Sequence, residues 1–385
     1  MREVALDGHS RRPIRKFAGT LPLMDYAGRL ESLQKDVLRL KVDTLFITHP
    51  PNIRYLCGFT GSAGALLVSA SATVFFSDGR YARQAKEEVK GAKIIIAPKA
   101  PLVSVGEWLS RGGRRLRPRS LGIESEHLTV AARKRLAALI PKGVRLREVP
   151  PVVEQARMVK DSNELEKIRE AVSVGAGLFD RALVTIRPGV NELEVAAEME
   201  YSARKAGVEG MSFETIVAAG VRSSLPHGRA SAARIPARGF VVCDFGVILH
   251  GYCSDRTRTV WVGAASKEVS RLYAAVLEAQ LAAIDSVRPG VPVSKVDHAA
   301  RKTLQTHGLE RHFTHSTGHG VGLEIHEAPR VAKGQQEILR PGMVITVEPG
   351  VYLPDKWGVR IEDMVVVTEH GCEVLAPHQK EFIAL

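Results

Sequence analysis

The sequence predicts two domains: an α/β domain at the N-terminus, followed by an α+β domain that contains one structural unit twice. Three observations predict this fold class. The chain has 385 residues, which is more than one hydrophobic core usually serves. Strand patterns alternate with helix patterns up to about residue 150, as is typical of an α/β domain. In the rest of the chain a helix–helix–strand–strand pattern occurs twice.

The composition is that of a globular protein with a basic surface. Hydrophobic residues make up 45% of the chain and charged residues 25%, which excludes extended disorder and fibrous architectures. The formal net charge is +12, with basic residues concentrated at the N-terminus and in residues 111–119. Neither cluster shows interleaved aromatic residues or a nucleic-acid-binding motif, so we expect a solvated surface and no nucleic-acid partner. The charge leaves an anionic partner open as the alternative.

The sequence predicts neither secretion nor a membrane span. The basic N-terminal tail, residues 1–24, is not followed by the apolar stretch of a secretory signal. The longest uncharged run, residues 55–77, is rich in Gly, Ser and Thr, and we interpret it as two strands around a turn at residues 61–64. Four scattered cysteines without C-x-x-C spacing indicate a reducing compartment. We therefore expect a cytoplasmic protein with no membrane partner.

The N-terminal domain is predicted at residues 25–150. A helix pattern begins near Tyr26 and leads into the first strand, which a His-Pro-Pro sequence ends. The predicted strands with the clearest patterns are residues 44–47, 73–76 and 93–96. Pro150 and Pro151 mark the end of the domain because consecutive prolines disfavour regular secondary structure.

The second domain, residues 155–385, contains the repeat. It opens with a helix that Asp161 caps, and Glu164 completes a capping box. The sequence Arg-Pro-Gly-Val at residues 187–190 recurs at residues 288–291, an offset of 101, each time between two helix patterns. The two copies are expected to pack about a pseudo-twofold axis.

Each copy places two acidic residues at its strands. One acid ends an apolar strand, and the other follows a glycine by four residues. These acids are Asp244 and Asp255 in the first copy, and Glu348 and Glu362 in the second. A carboxylate at the end of a buried strand is costly unless it is paired or binds a metal. Four converging carboxylates repel one another, and two divalent cations would balance their charge.

Histidines strengthen the prediction of a metal site. Residues 315–326 contain His315, His319 and His326 among three glycines, which disfavours a helix and suits a backbone close to a ligand. His227, between Pro226 and Gly228, is a further candidate. Mostly oxygen ligands with one or two imidazoles suit manganese, cobalt, iron or zinc. Two such ions activate water and polarise a carbonyl, so the pattern predicts metal-assisted hydrolysis.

At these residues the sequence resembles the proline-specific metallopeptidases of the pita-bread fold, the aminopeptidase P and prolidase family. The resemblance covers about residues 155–385, and its motifs are specific. The matching stretches are residues 212–218, 225–228, 244–246, 254–259, 315–327, 347–350 and 359–363. Residues 52–61 resemble the creatinase-like N-terminal domain of the same family. The resemblance implies an α/β creatinase-like domain and an α+β pita-bread catalytic domain with an internal pseudo-twofold repeat.

The resemblance also implies a role for each matching residue. Two divalent metal ions, expected to be manganese, would be held by Asp244, Asp255, His319, Glu348 and Glu362. Asp244 and Asp255 would bind one ion. His319 and Glu348 would bind the other, while Asp255 and Glu362 would bridge the two. Glu348 would also transfer the proton. The residues that contact or support the substrate would be His227, His326, His315 and Arg360.

The predicted activity is that of an Xaa-Pro aminopeptidase acting on peptides with proline in the second position. An Xaa-Pro dipeptidase, or prolidase, is the alternative, and it needs a cation to meet the carboxylate of the dipeptide. Arg360 is shared by both types and does not separate them. A catalytically silent binding module is a remote alternative, which the complete set of metal ligands disfavours. A homodimer is the oligomeric state expected for the family.

Overall fold

The structure is a computed structural model that describes residues 24–111 and 118–385. The chain divides into two compact units, one ending at Arg157 and the other beginning at Met158. The predicted basic tail lies outside the described residues except for Met24, as do Arg114, Arg115 and Arg117 of the arginine cluster. We retain 25–150 and 155–385 as proposed domain limits.

The first unit is an α/β domain. Its described strands form one sheet in the order β4-β3-β2-β1-β5-β6, in which β1–β2 and β2–β3 are antiparallel and the other pairs parallel. The strands are β1 (Thr44–Ile47), β2 (Gly64–Ser69), β3 (Thr73–Asp78), β4 (Lys93–Ala97), β5 (Ser120–Glu124) and β6 (Arg145–Val149). The helices are α1 (Tyr26–Arg39), α2 (Pro50–Cys57), α3 (Ala82–Glu88), α4 (Pro101–Ser110), α5 (Val130–Leu139) and α6 (Val152–Arg157).

The turn predicted at residues 61–64 is wrong. Residues 55–57 belong to α2, which begins at Pro50 because proline suits the first turn of a helix. Gly58, with φ of 84°, ends α2 in the left-handed conformation. The two strands are present, but their turn lies at residues 69–72. There the amide of Ser69 donates to the Ala72 carbonyl at 2.9 Å, and the Ser69 hydroxyl accepts from the Ala72 amide at 3.1 Å.

The second unit contains two helix pairs and several small sheets. Its helices are α7 (Ser162–Thr185), α8 (Glu192–Ala206), α9 (Lys267–Asp285) and α10 (Val293–Thr306). Its strands are β7 (Gly210–Met211), β8 (Ile216–Ala219), β9 (Gly239–Phe245), β10 (Val247–Leu249), β11 (Tyr252–Cys253), β12 (Arg256–Val262), β13 (Gly318–Gly320), β14 (Glu327–Val331), β15 (Val344–Val347), β16 (Gly350–Leu353), β17 (Trp357–Arg360), β18 (Asp363–Val367) and β19 (Cys372–Val374). None of the helices in the described ranges has the length and hydrophobicity to span a membrane.

The structure confirms the internal repeat. The predicted capping box of Asp161 and Glu164 begins α7. In both Arg-Pro-Gly-Val turns the glycine has positive φ, 88° at Gly189 and 81° at Gly290. The Gly189 amide donates at 2.9 Å to the Ile235 carbonyl, just before β9, and the Gly290 amide donates at 2.9 Å to the Leu339 carbonyl, just before β15. The helix pairs α7–α8 and α9–α10 are then followed by the antiparallel strand pairs β9–β12 and β15–β18.

A buried ion pair joins the two copies. Arg258 on β12 donates to Asp363 on β18 at 2.7 Å, and their side chains are 1% and 0% exposed. Gln280 and Lys380 donate to the other carboxylate oxygen at 3.0 and 2.7 Å. Burial alone would raise the pKa of Asp363, but the charges of Arg258 and Lys380 outweigh it and lower that pKa. Arg258 also donates to the Glu362 carbonyl, which connects this pair to a predicted metal ligand.

Removing Arg258 should destabilise the second unit strongly. Arg258→Ala leaves the Asp363 carboxylate buried with fewer donors, and we expect the free energy of unfolding to fall by about 3–5 kcal/mol. Arg169→Ala is the matched control because it breaks an exposed pair with Glu373 and should cost no more than about 1 kcal/mol. Urea denaturation followed by tryptophan fluorescence measures both values. Equal losses in the two variants would contradict a dominant role for the buried pair.

Candidate metal centre

The five predicted metal ligands all lie at strand ends or on short strands of the second unit. Asp244 is on β9, Asp255 directly precedes β12, and Glu362 lies between β17 and β18. His319 is the middle residue of β13, and Glu348 directly follows β15. The antiparallel pairs β9–β12 and β15–β18 therefore contribute two acids each, as the repeat predicts.

Four of these residues are close neighbours. The His319 Nε2 atom lies 3.5 Å from Asp255 Oδ2 and 3.5 Å from Glu348 Oε1. Ligand atoms of Asp255, His319 and Glu362 all lie within 4.8 Å of one another, a spacing that suits one shared cation. Thr257 donates to Glu362 Oε2 at 2.7 Å, which fixes that carboxylate. Asp244 is not in the close group of three and instead accepts from Arg360 at 2.5 Å.

The carboxylates have more acceptor capacity than the protein uses. Asp244 Oδ1 and Glu362 Oε1 are buried and have no hydrogen-bond partner among the described residues. Buried polar atoms are normally satisfied, so two such oxygens in one acidic cluster indicate a missing positive partner. Divalent cations would supply it, and oxygen-rich ligands with one imidazole suit them. The donor set therefore fits the metal ions that the sequence predicts.

The electrostatics lead to the same conclusion. Burial, followed by repulsion from neighbouring carboxylates, raises the pKa of Asp255 and that of Glu362 well above their usual range. Burial also raises the pKa of Glu348 to about 8, although Arg360 opposes the increase. These carboxyl groups are costly to ionise side by side in a buried site. Divalent cations would remove that cost because they compensate the negative charge directly.

The protonation and orientation of His319 suit a metal ligand. Its Nδ1 lies 3.0 Å from the Gly320 carbonyl, which can only accept, so Nδ1 carries the proton. Burial lowers the pKa of His319 to about 4, so the imidazole is neutral at neutral pH. Its Nε2 lone pair therefore faces Asp255 and Glu348. A backbone carbonyl that fixes the tautomer in this way is typical of a metal-binding histidine.

Arg360 is fully engaged in holding other groups. It donates to Asp244, to the Thr257 hydroxyl at 3.0 Å and to the Pro226 carbonyl at 2.9 Å. It also donates to the Tyr352 hydroxyl at 2.6 Å. Tyr352 in turn lies 2.9 Å from His315 Nε2, and burial lowers the pKa of His315 to about 4. His315 and Arg360 thus form one supporting network behind the acids.

A cavity of about 590 Å³ opens beside the acidic cluster. Its walls include the predicted site residues His227, His315, His319, His326, Glu348 and Arg360. The His326 ring lies 4.4 Å from the His319 ring, and burial lowers the pKa of His326. The structure therefore brings both predicted substrate-binding histidines to the same cavity as the acids.

The sequence analysis missed three residues at this site. Thr257 lies inside a stretch that we quoted for the resemblance, but no role was assigned to it. Tyr352, on the β16–β17 hairpin, connects Arg360 to His315. Arg330 lines the cavity on β14, directly opposite His319 in the sheet register. Nothing in the sequence separates Arg330 from any surface arginine.

Comparison with known proteins identifies the family. A model described as Metallopeptidase family M24 matches residues 166–369, and one described as Creatinase/Prolidase N-terminal domain matches residues 29–159. An Xaa-Pro dipeptidase from Pyrococcus furiosus is 35% identical over 359 residues, which are 92% of this chain and 99% of that protein. Both predicted domains therefore have recognised counterparts.

Solved structures agree with this result. An Xaa-Pro dipeptidase from Bacillus anthracis is 37% identical with a TM-score of 0.89, and the match covers 94% of this chain and 100% of that one. An X-Pro aminopeptidase from Thermotoga maritima is 34% identical with a TM-score of 0.83, and the match covers 91% and 100%. The predicted creatinase-like and pita-bread fold is confirmed. The chain is a hydrolase that belongs to metallopeptidase family M24 and carries the creatinase/prolidase N-terminal domain.

Proposed function

We propose that this protein is a metal-dependent Xaa-Pro dipeptidase, which hydrolyses the bond between an N-terminal residue and a C-terminal proline. One observation carries the proposal: the acidic cluster shares its cavity with an arginine that no other described side chain engages. The relatives support it, because Xaa-Pro dipeptidases from Pyrococcus furiosus and Bacillus anthracis match nearly the whole chain. The sequence alone favoured the aminopeptidase, and the relatives and Arg330 now favour the alternative.

Two divalent ions would be held by Asp244, Asp255, His319, Glu348 and Glu362. Manganese is our expected metal, and cobalt, zinc or iron(II) would suit the same ligands. When bound, such ions activate water and polarise the carbonyl of the scissile bond. Glu348 accepts a hydrogen bond from the Thr346 hydroxyl at 3.3 Å through Oε1, and we assign proton transfer to its other oxygen. Glu348 would take this proton from the attacking water and pass it to the proline nitrogen as the bond breaks.

His227 and His326 are assigned to the substrate carbonyl. Both line the cavity beside the acids, and an imidazole N–H there would donate to the oxygen that becomes negative in the transition state. His315 is too engaged with Tyr352 to do the same and is assigned to support. An Xaa-Pro bond is a tertiary amide without an N–H, so the site needs no acceptor for the scissile amide.

Arg330 is the cation that a dipeptidase needs. Arg360 is buried and already has four acceptors, so it is not available to a substrate carboxylate. Arg330 is exposed, lines the same cavity and forms no ion pair with the described residues. The carboxylate of a C-terminal proline would pair with its guanidinium, and charge-assisted hydrogen bonds of this kind are strong.

An Xaa-Pro aminopeptidase remains the second candidate, because the Thermotoga maritima X-Pro aminopeptidase has the same fold at 34% identity. A homodimer and a cytoplasmic location also remain proposals. Light scattering and fractionation of the native cells, respectively, would test them.

A paired assay tests the proposed function. Peptides Xaa-Pro and Xaa-Pro-Yaa with the same Xaa should be compared with manganese or cobalt supplied. We expect the dipeptide to have a kcat/KM at least about tenfold higher, since only it presents a carboxylate next to the proline ring. Faster cleavage of the tripeptide would identify an aminopeptidase. Absence of proline-dependent cleavage with either peptide would refute both candidates.

Arg330→Met should change substrate preference rather than chemistry. For the dipeptide we expect KM to rise about 10–100-fold, because one charged hydrogen-bonding partner is lost. For the tripeptide we expect a change of less than about threefold, since that substrate places no carboxylate there. Arg271→Met, an exposed arginine on α9 outside the cavity, is the control. Equal losses with both substrates would contradict the carboxylate role.

Asp255→Ala should lower the metal content. Asp255 lies beside both His319 and Glu362, so its loss removes a ligand that the metal ions would share. Elemental analysis of protein equilibrated with excess manganese and then desalted should find about two ions per chain in the wild type and fewer than one in the variant. Asp285→Ala, an exposed carboxylate of the same unit, should keep the wild-type content. Retention of both ions by Asp255→Ala would refute this assignment.

A further inference from the structure

Glu192, the first residue of α8, has a carboxylate that is completely buried and fully used. Oε1 accepts from the Ala219 amide at 2.8 Å, and Oε2 accepts from the Ser231 amide at 3.0 Å and the Ser231 hydroxyl at 2.7 Å. Arg222 Nε donates to both oxygens at 3.0–3.1 Å. The start of a helix favours a negative charge, which adds to these bonds. A buried carboxylate with donors from three residues fixes their relative positions.

Those donors bracket the segment that carries His227. Ala219 and Ser231 are the first and last residues of the segment 219–231. Arg222 links the two halves of this segment, because it donates to the Arg229 carbonyl at 2.7 Å. Between them, the amides of Gly228 and Arg229 donate to the carbonyls of Leu225 and His227 at 3.1 and 2.9 Å. The segment is therefore a closed loop, and hydrogen bonds to Glu192 hold its two ends together.

His227 depends on this loop for its position. Its imidazole is exposed to the cavity and forms no hydrogen bond with the described residues. The carbonyl of the preceding Pro226 accepts from Arg360, which holds the loop on the cavity side. The placement of the imidazole is thus set by the backbone of the loop and not by a side-chain partner of its own.

The second copy of the repeat contains a matching arrangement. On α10, the buried Asp297 accepts from Arg301 at 2.8 Å and from the Thr317 hydroxyl at 2.8 Å. Arg301 also donates to the His315 carbonyl at 2.7 Å. In each copy, therefore, the second helix supplies a buried carboxylate paired with an arginine, and the pair anchors a histidine-bearing segment of the cavity wall.

We propose that Glu192 is a positioning residue that holds residues 219–231 and thereby places His227 at the substrate. The assignment rests on the proposed function for the role of His227, but the anchoring of the loop is independent of any substrate. Glu192 touches neither the cavity nor the acidic cluster and acts only through the loop.

Hydrogen exchange tests the anchoring without an assay of activity. In Glu192→Gln, the amides of Gly228 and Arg229 should exchange at least about tenfold faster, because the base of the loop opens more often. These two amides bond to carbonyls within the loop and not to Glu192, so their exchange reports the loop itself. Glu198→Gln, an exposed acid on the same helix, should leave both rates unchanged. Unchanged exchange in Glu192→Gln overturns the proposal.

A double-mutant cycle tests the link to His227. Glu192→Gln alone should lower kcat by about 10–100-fold with wild-type metal content, since a displacement of about 1 Å in a catalytic group costs that much. In a His227→Ala background the same change should cost less than about twofold. If the two losses multiply, Glu192 acts by another route and the proposal fails. If the wild-type protein does not cleave Xaa-Pro peptides, the proposed function is refuted. The hydrogen-exchange rates then still test whether Glu192 anchors the loop.

Arg222→Gln covers the case in which Glu192→Gln does not fold. Arg222 is about one-third exposed, and the substitution removes its bond to the Arg229 carbonyl while Glu192 keeps its backbone donors. The exchange of Gly228 and Arg229 should again rise by at least about threefold, with kcat falling in parallel. Wild-type exchange and kcat in this variant would overturn the role of the anchored loop.

Discussion

The second unit depends on one constraint, the repulsion among four carboxylates that are buried or partly buried. Asp244, Asp255, Glu348 and Glu362 converge from two copies of one unit, and the protein balances only part of their charge. The raised pKa values of three of them and the two unpaired oxygens indicate the remainder. Divalent cations would complete such a site, because they compensate the negative charge directly.

Buried charged groups around this cluster compensate its charge and hold the neighbouring segments in place. Arg360 compensates Asp244 on the cavity side, and Arg258 pairs with Asp363 in the layer behind, next to Glu362. Further out, α8 and α10 each carry a buried carboxylate that holds a histidine-bearing loop. In each copy the strand pair provides two of the four carboxylates, and the helix pair carries the carboxylate that anchors one loop.

The sequence analysis predicted the fold, which the comparisons confirm, and the four acids that the structure brings together, because both follow local patterns. Capping, the positive-φ glycine of the Arg-Pro-Gly-Val turn and the spacing of acids after strands are set by neighbours along the chain. The same analysis misplaced the turn at residues 61–64, because glycines that connect a helix to a strand look like those of a hairpin. It also missed Tyr352 and Arg330, whose importance comes from contacts with residues distant in the chain or from exposure to the cavity.

The sequence by itself therefore determined the two domains, the repeat and the set of acids and histidines, since periodicity and spacing are properties of the order of residues. Only the tertiary structure decided which charged side chains pair within the protein and which can bind a substrate. Arg360 and Arg330 are the same residue type. Packing nevertheless buries Arg360 among four hydrogen-bond acceptors and leaves Arg330 exposed in the cavity. Glu192 and Glu198 are likewise both glutamates of α8, yet the fold buries Glu192 and leaves Glu198 exposed. Burial and partner geometry are properties of the folded chain, and these properties separate a structural charge from one that binds substrate.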